Sequence, residues 1–422
     1  MLVSDPLPQV CVVGLGYIGL PTAAVLAAHG LRVVGFDVNP AIVATINRGA
    51  IHITEPELDE LVQQVIGSGM LRATTAILAA ETFIIAVPTP CAAPDHRPDL
   101  SCVDAAARTV AGVLQPGNLV ILESTSPVGT TEHLADMMAS LRPDLRFPRE
   151  ALAEPDVCLA YCPERVLPGK ILRELISNDR LIGGLSPCCT ARAATLYRTF
   201  VRGQVFETNA RTAEMAKLAE NAFRDVNIAF ANELSLLCDR LGIDVWELIR
   251  LANRHPRVKI LQPGPGVGGH CVAVDPWFLV HAAPDCAPLI RTAREVNDAK
   301  PGHVVAKIKE QAQRFVNPQI ACLGLSFKAD VDDLRESPAV EIVRHLATEN
   351  VGQLLAVEPH IDHLPPALNG TSGIRNVRLV ALEEAVRRAD ILVLLVNHRA
   401  FADIDRRQLE GKAVIDTRGV WR

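Results

Sequence analysis

Hydrophobic positions follow two rhythms along the 422 residues. Through the first half, short unbroken apolar runs alternate with Ala- and Leu-rich helical patterns. "QVCVVGLG" reads as a strand entering a glycine turn, "YIGLPTAAVLAAHG" as a helix closed by Gly30, and "LRVVGFDVN" as a second strand ending on an acid. "TFIIAVPTP" and "NLVILESTSPVGT" are further strands that break into Pro, Thr and Ser. Apolar runs joined by helices indicate a parallel sheet covered on both faces, whose ligands bind at the carboxyl ends of the strands. The polar breaks fall at those ends, and the pattern predicts a doubly wound α/β domain up to about residue 205.

The rhythm then changes. From Arg211 to Leu241 there is neither Gly nor Pro, and Phe223, Val226, Phe230, Leu234, Leu237 and Leu241 recur at steps of three and four. That spacing predicts one amphipathic helix of about eight turns. Such a helix either fills a core or connects domains and packs on a second subunit, and the pattern leaves both open. Near residue 318 the α/β rhythm returns with "PQIACLGLSF", a helix entered through Ser337 and Pro338, and the strands "GQLLAVEP", "ILVLLVNH" and "KAVIDTRG". Ser as N-cap followed by Pro at the first helical position is a strong helix start.

Composition narrows the function classes. Hydrophobic residues make up 49% and aromatics only 4%, so aliphatic side chains must build the cores. The net charge of −6, without a Lys/Arg cluster, argues against nucleic acid or an anionic membrane as the main partner. Eleven scattered cysteines with no CxxC pair, no secretory leader and no apolar run of eighteen predict a cytoplasmic protein with reduced thiols. No metal is expected.

"VVGLGYIG" fits GxGxxG with Gly14, Gly16 and Gly19, directly after a strand and opening a helix. The glycines permit the tight turn, the approach of a pyrophosphate and close helix packing, with Tyr17 and Ile18 completing the loop. Asp37 closes the second strand where an acid binds a ribose 2′-hydroxyl; a 2′-phosphate would be repelled, so NAD is expected over NADP. Pro88, Thr89 and Thr125 lie in the polar breaks that would face the cofactor.

"GPGVGGHCVAVDPWFL" places Cys271 at the end of a glycine-rich loop, with Asp275 one helical turn later. Beside NAD, a lone thiol suggests covalent chemistry at the aldehyde level, in which a thiolate adduct loses hydride and the thioester is then hydrolysed. Gly268 and Gly269 would let substrate approach and leave backbone N–H groups free to bind it. Lys217 and Asn221 stand at i and i+4 on the long helix, positioned to donate together to an alkoxide, although a solvated lysine is the usual fate of that residue. Glu164, in the proline-bounded "YCPERVLPG", would be free to handle water, with Thr125 at a strand's carboxyl end nearby.

Taken together, GLGYIG, STSPVG, PERVLPG, the Lys217/Asn221 helix, GxGGxC and LSFKADVDDLRESP resemble the UDP-glucose/GDP-mannose dehydrogenase family over essentially the whole chain. "RHPRVKILQPGPGVGGHCVAVDPWF" is similar to the branch that acts on UDP-N-acetylmannosamine. The resemblance implies two Rossmann-like doubly wound domains joined by a long central helix that also forms a homodimer. The expected bounds are 1–208 for the NAD domain, 209–312 for the helical dimerisation domain and 313–422 for the UDP-sugar domain. It implies two-step oxidation of the sugar's C6 alcohol to a carboxylate for bacterial surface polysaccharide, with UDP-N-acetylglucosamine as the alternative substrate. In that scheme Cys271 is the nucleophile, Lys217 and Asn221 support the oxyanions, Asp275 acts through water, and Glu164 with Thr125 assists hydrolysis.

The same resemblance directs Arg165, Val166, Leu167, Arg257, Gly268, His270, Phe327, Lys328 and Arg418 to the substrate and Arg335 to the cofactor. Two departures stand out. UDP-glucose dehydrogenases generally carry Ser where this chain has His270, and a carboxylate common after the Glu164 position is Pro168 here. His270 would either lower the thiol pKa or shape an acetamido pocket. Two rival readings remain: a two-electron hydroxyacid-type dehydrogenase, which leaves residues 318–422 without a task, and a non-catalytic NAD-binding regulator.

Overall fold

The apolar runs become strands, and two sheets result. The computed structural model describes residues 7–92, 95–148, 154–370 and 373–421. The chain divides into two compact units that part between Ala219 and Glu220.

In the first unit the strands are β1 (Val10–Val13), β2 (Val33–Phe36), β3 (Leu71–Thr74), β4 (Thr82–Ile85), a small antiparallel pair β5 (Cys91–Ala92) and β6 (Arg97–Pro98), then β7 (Leu119–Leu122), β8 (Cys158–Tyr161), β9 (Arg180–Gly184) and β10 (Val205–Asn209). Eight of them form one sheet in the order β10-β9-β8-β7-β4-β1-β2-β3. All neighbours pair parallel except β8 and β9. The sheet is therefore mixed, with one reversal beyond the predicted strands. β1, β2, β4, β7 and β8 are buried along their whole length, with separate aliphatic cores on the two faces. Strand order turns back between β1 and β4, and the crevice outside their carboxyl ends is where such sheets bind ligands.

The second unit holds β11 (Gln319–Leu323), β12 (Gln353–Val357), β13 (Val377–Leu379), β14 (Ile391–Leu394) and β15 (Ala413–Asp416), an all-parallel sheet in the order β13-β12-β11-β14-β15. The helix Pro338–Thr348 starts as expected, with the Ser337 hydroxyl accepting from the Val340 N–H. The α/β architecture with parallel sheets and a helical middle is thus the one the patterning implies.

The long helix, Ala210–Leu241, runs unbroken for 32 residues. Its apolar stripe does not face a core. Phe223 is 72% exposed, and Phe230, Leu237 and Leu241 are also exposed. The buried face instead carries Ala222, Asp225, Ala229, Asn232, Ser235 and Cys238. A polar buried face needs internal partners, since each unpaired group costs about 1–3 kcal/mol. The helix Pro288–Ala312 supplies them. Arg294 Nη1 donates to Asp225 Oδ1 (2.6 Å), Asn297 donates to the same oxygen (2.8 Å), and Asn232 donates to Asn297 (2.9 Å).

Candidate functional site

The first βα turn is built for a dinucleotide. Gly14 sits at φ +92°, and a Cβ there would lie 2.6 Å from the Ala86 carbonyl oxygen. A Cβ on Gly19 would fall 1.8 Å from the Gly14 oxygen, whereas around Gly16 nothing lies within 4 Å. Gly14 and Gly19 therefore hold the turn against β4 and the helix, and Gly16 leaves an open backbone at the N-terminus of the helix Gly19–Ala28. Tyr17 and Ile18, half-buried, complete the loop. Asp37 follows β2 half-buried; its Oδ2 accepts from the Leu15 N–H (3.0 Å) and its Oδ1 from the Asn39 N–H (2.9 Å). Those bonds orient the carboxylate at the mouth of the turn, and the residues present fit NAD.

The second sheet repeats this turn with a different outcome. Gly324 has φ +93°, and the Leu325 N–H donates to Glu358 Oε2 (2.7 Å). Here the acid is buried against His398 Nε2 (3.1 Å). Asp330, His360 and His398 cluster with metal-like spacing. However, His398 Nδ1 accepts from the Asp330 N–H (3.0 Å) and Nε2 faces Glu358, so both nitrogens of the shared imidazole are occupied.

At the carboxyl ends of β4 and β7 the predicted polar breaks meet. Thr89 Oγ1 donates to the Thr125 carbonyl (2.6 Å), and just before Pro88 the Ser124 hydroxyl accepts from the Val87 N–H and donates to the Val87 carbonyl (2.9 and 2.7 Å). Glu214 on the long helix caps the segment that follows, accepting from Gly129 and Thr131 N–H and from the Thr131 hydroxyl. One turn farther along that helix, Lys217 is 8% exposed rather than solvated.

Glu164 is not free in its loop, which corrects the expectation drawn from the flanking prolines. It is 8% exposed; Arg180 Nη1 donates to its Oε2 (2.7 Å) and the Arg165 N–H to its Oε1 (2.6 Å). Arg180, 2% exposed, lies with its guanidinium 5.5 Å from the Tyr197 ring centroid, and the Tyr197 hydroxyl donates to Glu123 Oε1 (2.9 Å). Burial pushes the Glu123 carboxyl up to about 7, and the charge of Glu164 pushes the same way against Arg180. None of Glu123, Arg180 and Tyr197 was marked as functional by sequence. Each belongs to a different element, and no local pattern announces a pairing between strand ends. The neighbouring Arg165 anchors on the Asp179 carbonyl (2.5 Å), Val166 packs on the core, and the Leu167 N–H donates to Glu174 (2.8 Å).

In the second unit the cysteine loop ends in a turn. The N–H groups of Val274 and Asp275 both donate to the Cys271 carbonyl (3.0 and 2.8 Å), and the helix Asp275–Ala282 begins there. Cys271 is half-buried and Asp275 2% exposed. Asn221 Nδ2 donates to Asp275 Oδ2 (2.5 Å), so one of the amide's two N–H groups supports the acid.

The loop glycines also meet neighbours within the chain. A Cβ at Gly268 would lie 2.3 Å from the Glu336 carbonyl oxygen and one at Gly269, φ +84°, 2.9 Å from the Phe327 ring; the Gly269 N–H donates to the Arg335 carbonyl (3.2 Å). The room they provide is filled by the chain itself, and the Gly269 N–H is not free. Asn232 Oδ1 takes the Gly264 N–H (2.9 Å), tying the loop to the buried polar network.

Around this loop, Arg335 is clamped on Asp333 (2.9 and 2.6 Å). Burial alone would raise the Asp333 carboxyl, but the Arg335 hydrogen bonds, aided by the nearby charge of His270, hold it below the usual range. Lys328 is half-buried, its carbonyl accepting from Ser326 (2.6 Å). Arg418 donates to Asn397 (3.1 and 3.0 Å) and would meet any side chain at Gly264. Arg257 is exposed, and the contact found for it is its own N–H on His255 (3.3 Å).

Comparison with known proteins covers both units. Three models of the UDP-glucose/GDP-mannose dehydrogenase family match in sequence: its NAD binding domain over residues 8–201, its central domain over 211–299 and its UDP binding domain over 321–422. An NDP-N-acetyl-D-galactosaminuronic acid dehydrogenase from Ralstonia nicotianae is 60% identical over 98% of this chain and 96% of its own. A UDP-N-acetyl-D-mannosamine dehydrogenase from Campylobacter jejuni is 57% identical over 94% and 97%. The solved UDP-D-ManNAc dehydrogenase of Pyrococcus horikoshii superposes with a TM-score of 0.86 at 40% identity, covering 98% and 96%.

Proposed function

The chain belongs to the UDP-glucose/GDP-mannose dehydrogenase family, and from that premise we propose that it oxidises the C6 alcohol of UDP-N-acetyl-D-mannosamine to the carboxylate with two NAD per sugar. The observation that carries this reading is the Cys271–Asp275 turn braced by Asn221, which sets a half-buried thiol one turn from a buried acid.

NAD, when bound at the Gly14–Gly19 turn, supplies the hydride acceptor for both oxidations. The chain's residues do the rest. As the alcohol loses hydride, its proton passes to water held by Asp275, and Lys217 neutralises the developing alkoxide. The Cys271 thiolate then adds to the aldehyde carbon to give a thiohemiacetal, which keeps the aldehyde from leaving. Loss of a second hydride and the hydroxyl proton leaves a thioester. Water attacks the thioester carbonyl and gives its proton to Glu164; the C–S bond breaks, and Cys271 departs as thiolate. In sum, alcohol, two NAD⁺ and water become carboxylate, two NADH and three protons.

Arg165, Val166, Leu167, Gly268, His270, Phe327, Lys328 and Arg418 bind the nucleotide sugar in this reading, with Arg335 serving the cofactor and Arg257 reaching the substrate from a second copy. The exposed stripe Phe223, Phe230, Leu237 and Leu241 is the natural face for a homodimer, since a contiguous apolar surface on a helix marks an interaction site. The work is done in the cytoplasm, and the uronic acid serves surface polysaccharide. The domains divide as 1–208, 209–312 and 313–422.

A second reading follows from the Ralstonia relative: the sugar is the galacto isomer, which differs from the manno sugar at C2 and C4. Such stereoisomers differ by one or two hydrogen bonds, worth about 1–3 kcal/mol or roughly tenfold to a hundredfold in kcat/KM. Steady-state rates with the manno, gluco and galacto UDP-N-acetyl sugars decide the matter. The manno sugar should lead by at least about tenfold; a lead for either of the other two sugars replaces the substrate and keeps the chemistry.

A further inference from the structure

Beneath Glu164 lies a second carboxylate that the reaction scheme does not use. Glu123, directly after β7, is 2% exposed, and every polar group around it can be named. Thr22, from the helix Gly19–Ala28, donates to Oε2 (3.4 Å), and Tyr197, at the end of the helix Pro187–Tyr197, donates to Oε1 (2.9 Å). Glu164 and Cys162, after β8, and Arg180, opening β9, complete the surroundings. Burial pushes the Cys162 thiol up to about 12, so it stays neutral.

Two buried carboxylates thus share one buried cation. Arg180 bonds Glu164 directly, whereas Glu123 is bonded by Tyr197, whose ring the guanidinium faces at 5.5 Å. Arg180 Nη2 turns to the Leu175 carbonyl (3.4 Å), and its Nε has no partner among the described residues. With both acids ionised the cluster carries a net negative charge in a low-dielectric pocket, and one proton relieves it. Because Glu164 holds the direct ion pair, the proton rests on Glu123. When Glu123 is ionised, its charge adds to the negative field around the Arg180–Glu164 pair.

We propose that Glu123 is a positioning residue for hydrolysis: through Tyr197 and Arg180 it sets the charge against which Glu164 takes the proton of the attacking water. The inference rests on the role given to Glu164 under the proposed function. Water's oxygen forms the new C–O bond, its proton goes to Glu164 and the electron pair of the C–S bond leaves on Cys271; Glu123 exchanges no atoms with substrate.

The test follows the acyl group itself. The full-length chain is mixed with NAD and UDP-N-acetylmannosamine, quenched, and the mass of acylated protein is followed in time from pH 6 to pH 9. The wild type is expected to lose its acyl group about three- to tenfold faster above the Glu123 inflection than below it, because the added negative charge favours proton transfer to Glu164. Glu123→Gln, which keeps shape and removes the charge, should flatten that profile to the slow limb. Tyr197→Phe removes a hydrogen bond that favours the ionised form, so the inflection should move to higher pH; this variant decides the question if Glu123→Gln does not fold. A Glu123→Gln or Tyr197→Phe profile that overlays the wild type overturns the inference and leaves the proposed function standing. A wild-type chain that never carries an acyl group and yields one NADH per sugar overturns both.

Discussion

Arg294→Met should reveal how much the buried polar face of the long helix contributes. Arg294 is 1% exposed and Asp225 fully buried; the second oxygen, Asp225 Oδ2, has no partner among the described residues. Breaking such a pair from one side costs about 3–5 kcal/mol, because it strands an uncompensated charge in the interior. The stranded carboxylate has one escape, which is to take a proton. Holding a carboxyl protonated at pH 7 against an unfolded pKa near 3.9 costs about 4 kcal/mol, and at pH 5 about 1.5 kcal/mol.

Burial already raises the folded Asp225 carboxyl even with Arg294 beside it. A raised folded pKa gives stability that is present below the unfolded value and lost as pH climbs. The variant's penalty should therefore be about 4 kcal/mol at pH 7 and shrink toward pH 5, and Asp225→Asn in the same chain should recover most of it. Trp246, Trp277 and Trp421 are the three tryptophans, all in the second unit, so denaturant unfolding followed by intrinsic fluorescence reads that unit. A penalty under about 1 kcal/mol, or one that is flat with pH, would refute the reasoning.

Other consequences follow. Gly268→Ala drives a Cβ to 2.3 Å from the Glu336 carbonyl, a backbone atom that cannot swing aside. It should cost about 1–3 kcal/mol of stability and displace the cysteine loop, lowering kcat; an active, equally stable variant would show that the loop yields. Asp37→Ser removes the carboxylate that repels a 2′-phosphate and should shift the kcat/KM ratio toward NADP by at least about tenfold; initial rates with both cofactors check it. Phe230→Glu places a charge in the middle of the exposed stripe and should dissociate the proposed homodimer, read by sedimentation velocity. An unchanged mass, or a wild-type monomer, would remove the helix from the interface.

The elements most legible in the sequence were those whose local physics is decisive. The Gly14–Gly19 turn followed β1 and opened a helix, the Ser337–Pro338 start was correct, and the 32-residue helix was found within a residue at its start. What the helical periodicity could not say is which face turns inward. The large apolar residues suit a core or a second subunit equally well, and the buried face is the small and polar one, satisfied by Arg294 and Asn297 some seventy positions away.

The Cys271–Asp275 turn was legible for the same local reason, since i and i+4 fix its geometry. Glu164 shows the opposite case. Its prolines suggested freedom, whereas its partner Arg180 opens β9, the strand reached by the reversal after β8, and neither β8 nor β9 was read from its short, mixed sequence. The loop glycines likewise answer to Glu336 and Phe327, which approach from far along the chain.

The most direct test of the central claim counts hydride. The wild-type chain and Cys271→Ser are each given limiting UDP-N-acetylmannosamine and excess NAD, and NADH is measured at exhaustion. The account predicts two NADH per sugar for the wild type, and for Cys271→Ser a stall with no carboxylate formed. One NADH per sugar from the wild type, or full conversion by Cys271→Ser, would contradict oxidation through a cysteine adduct.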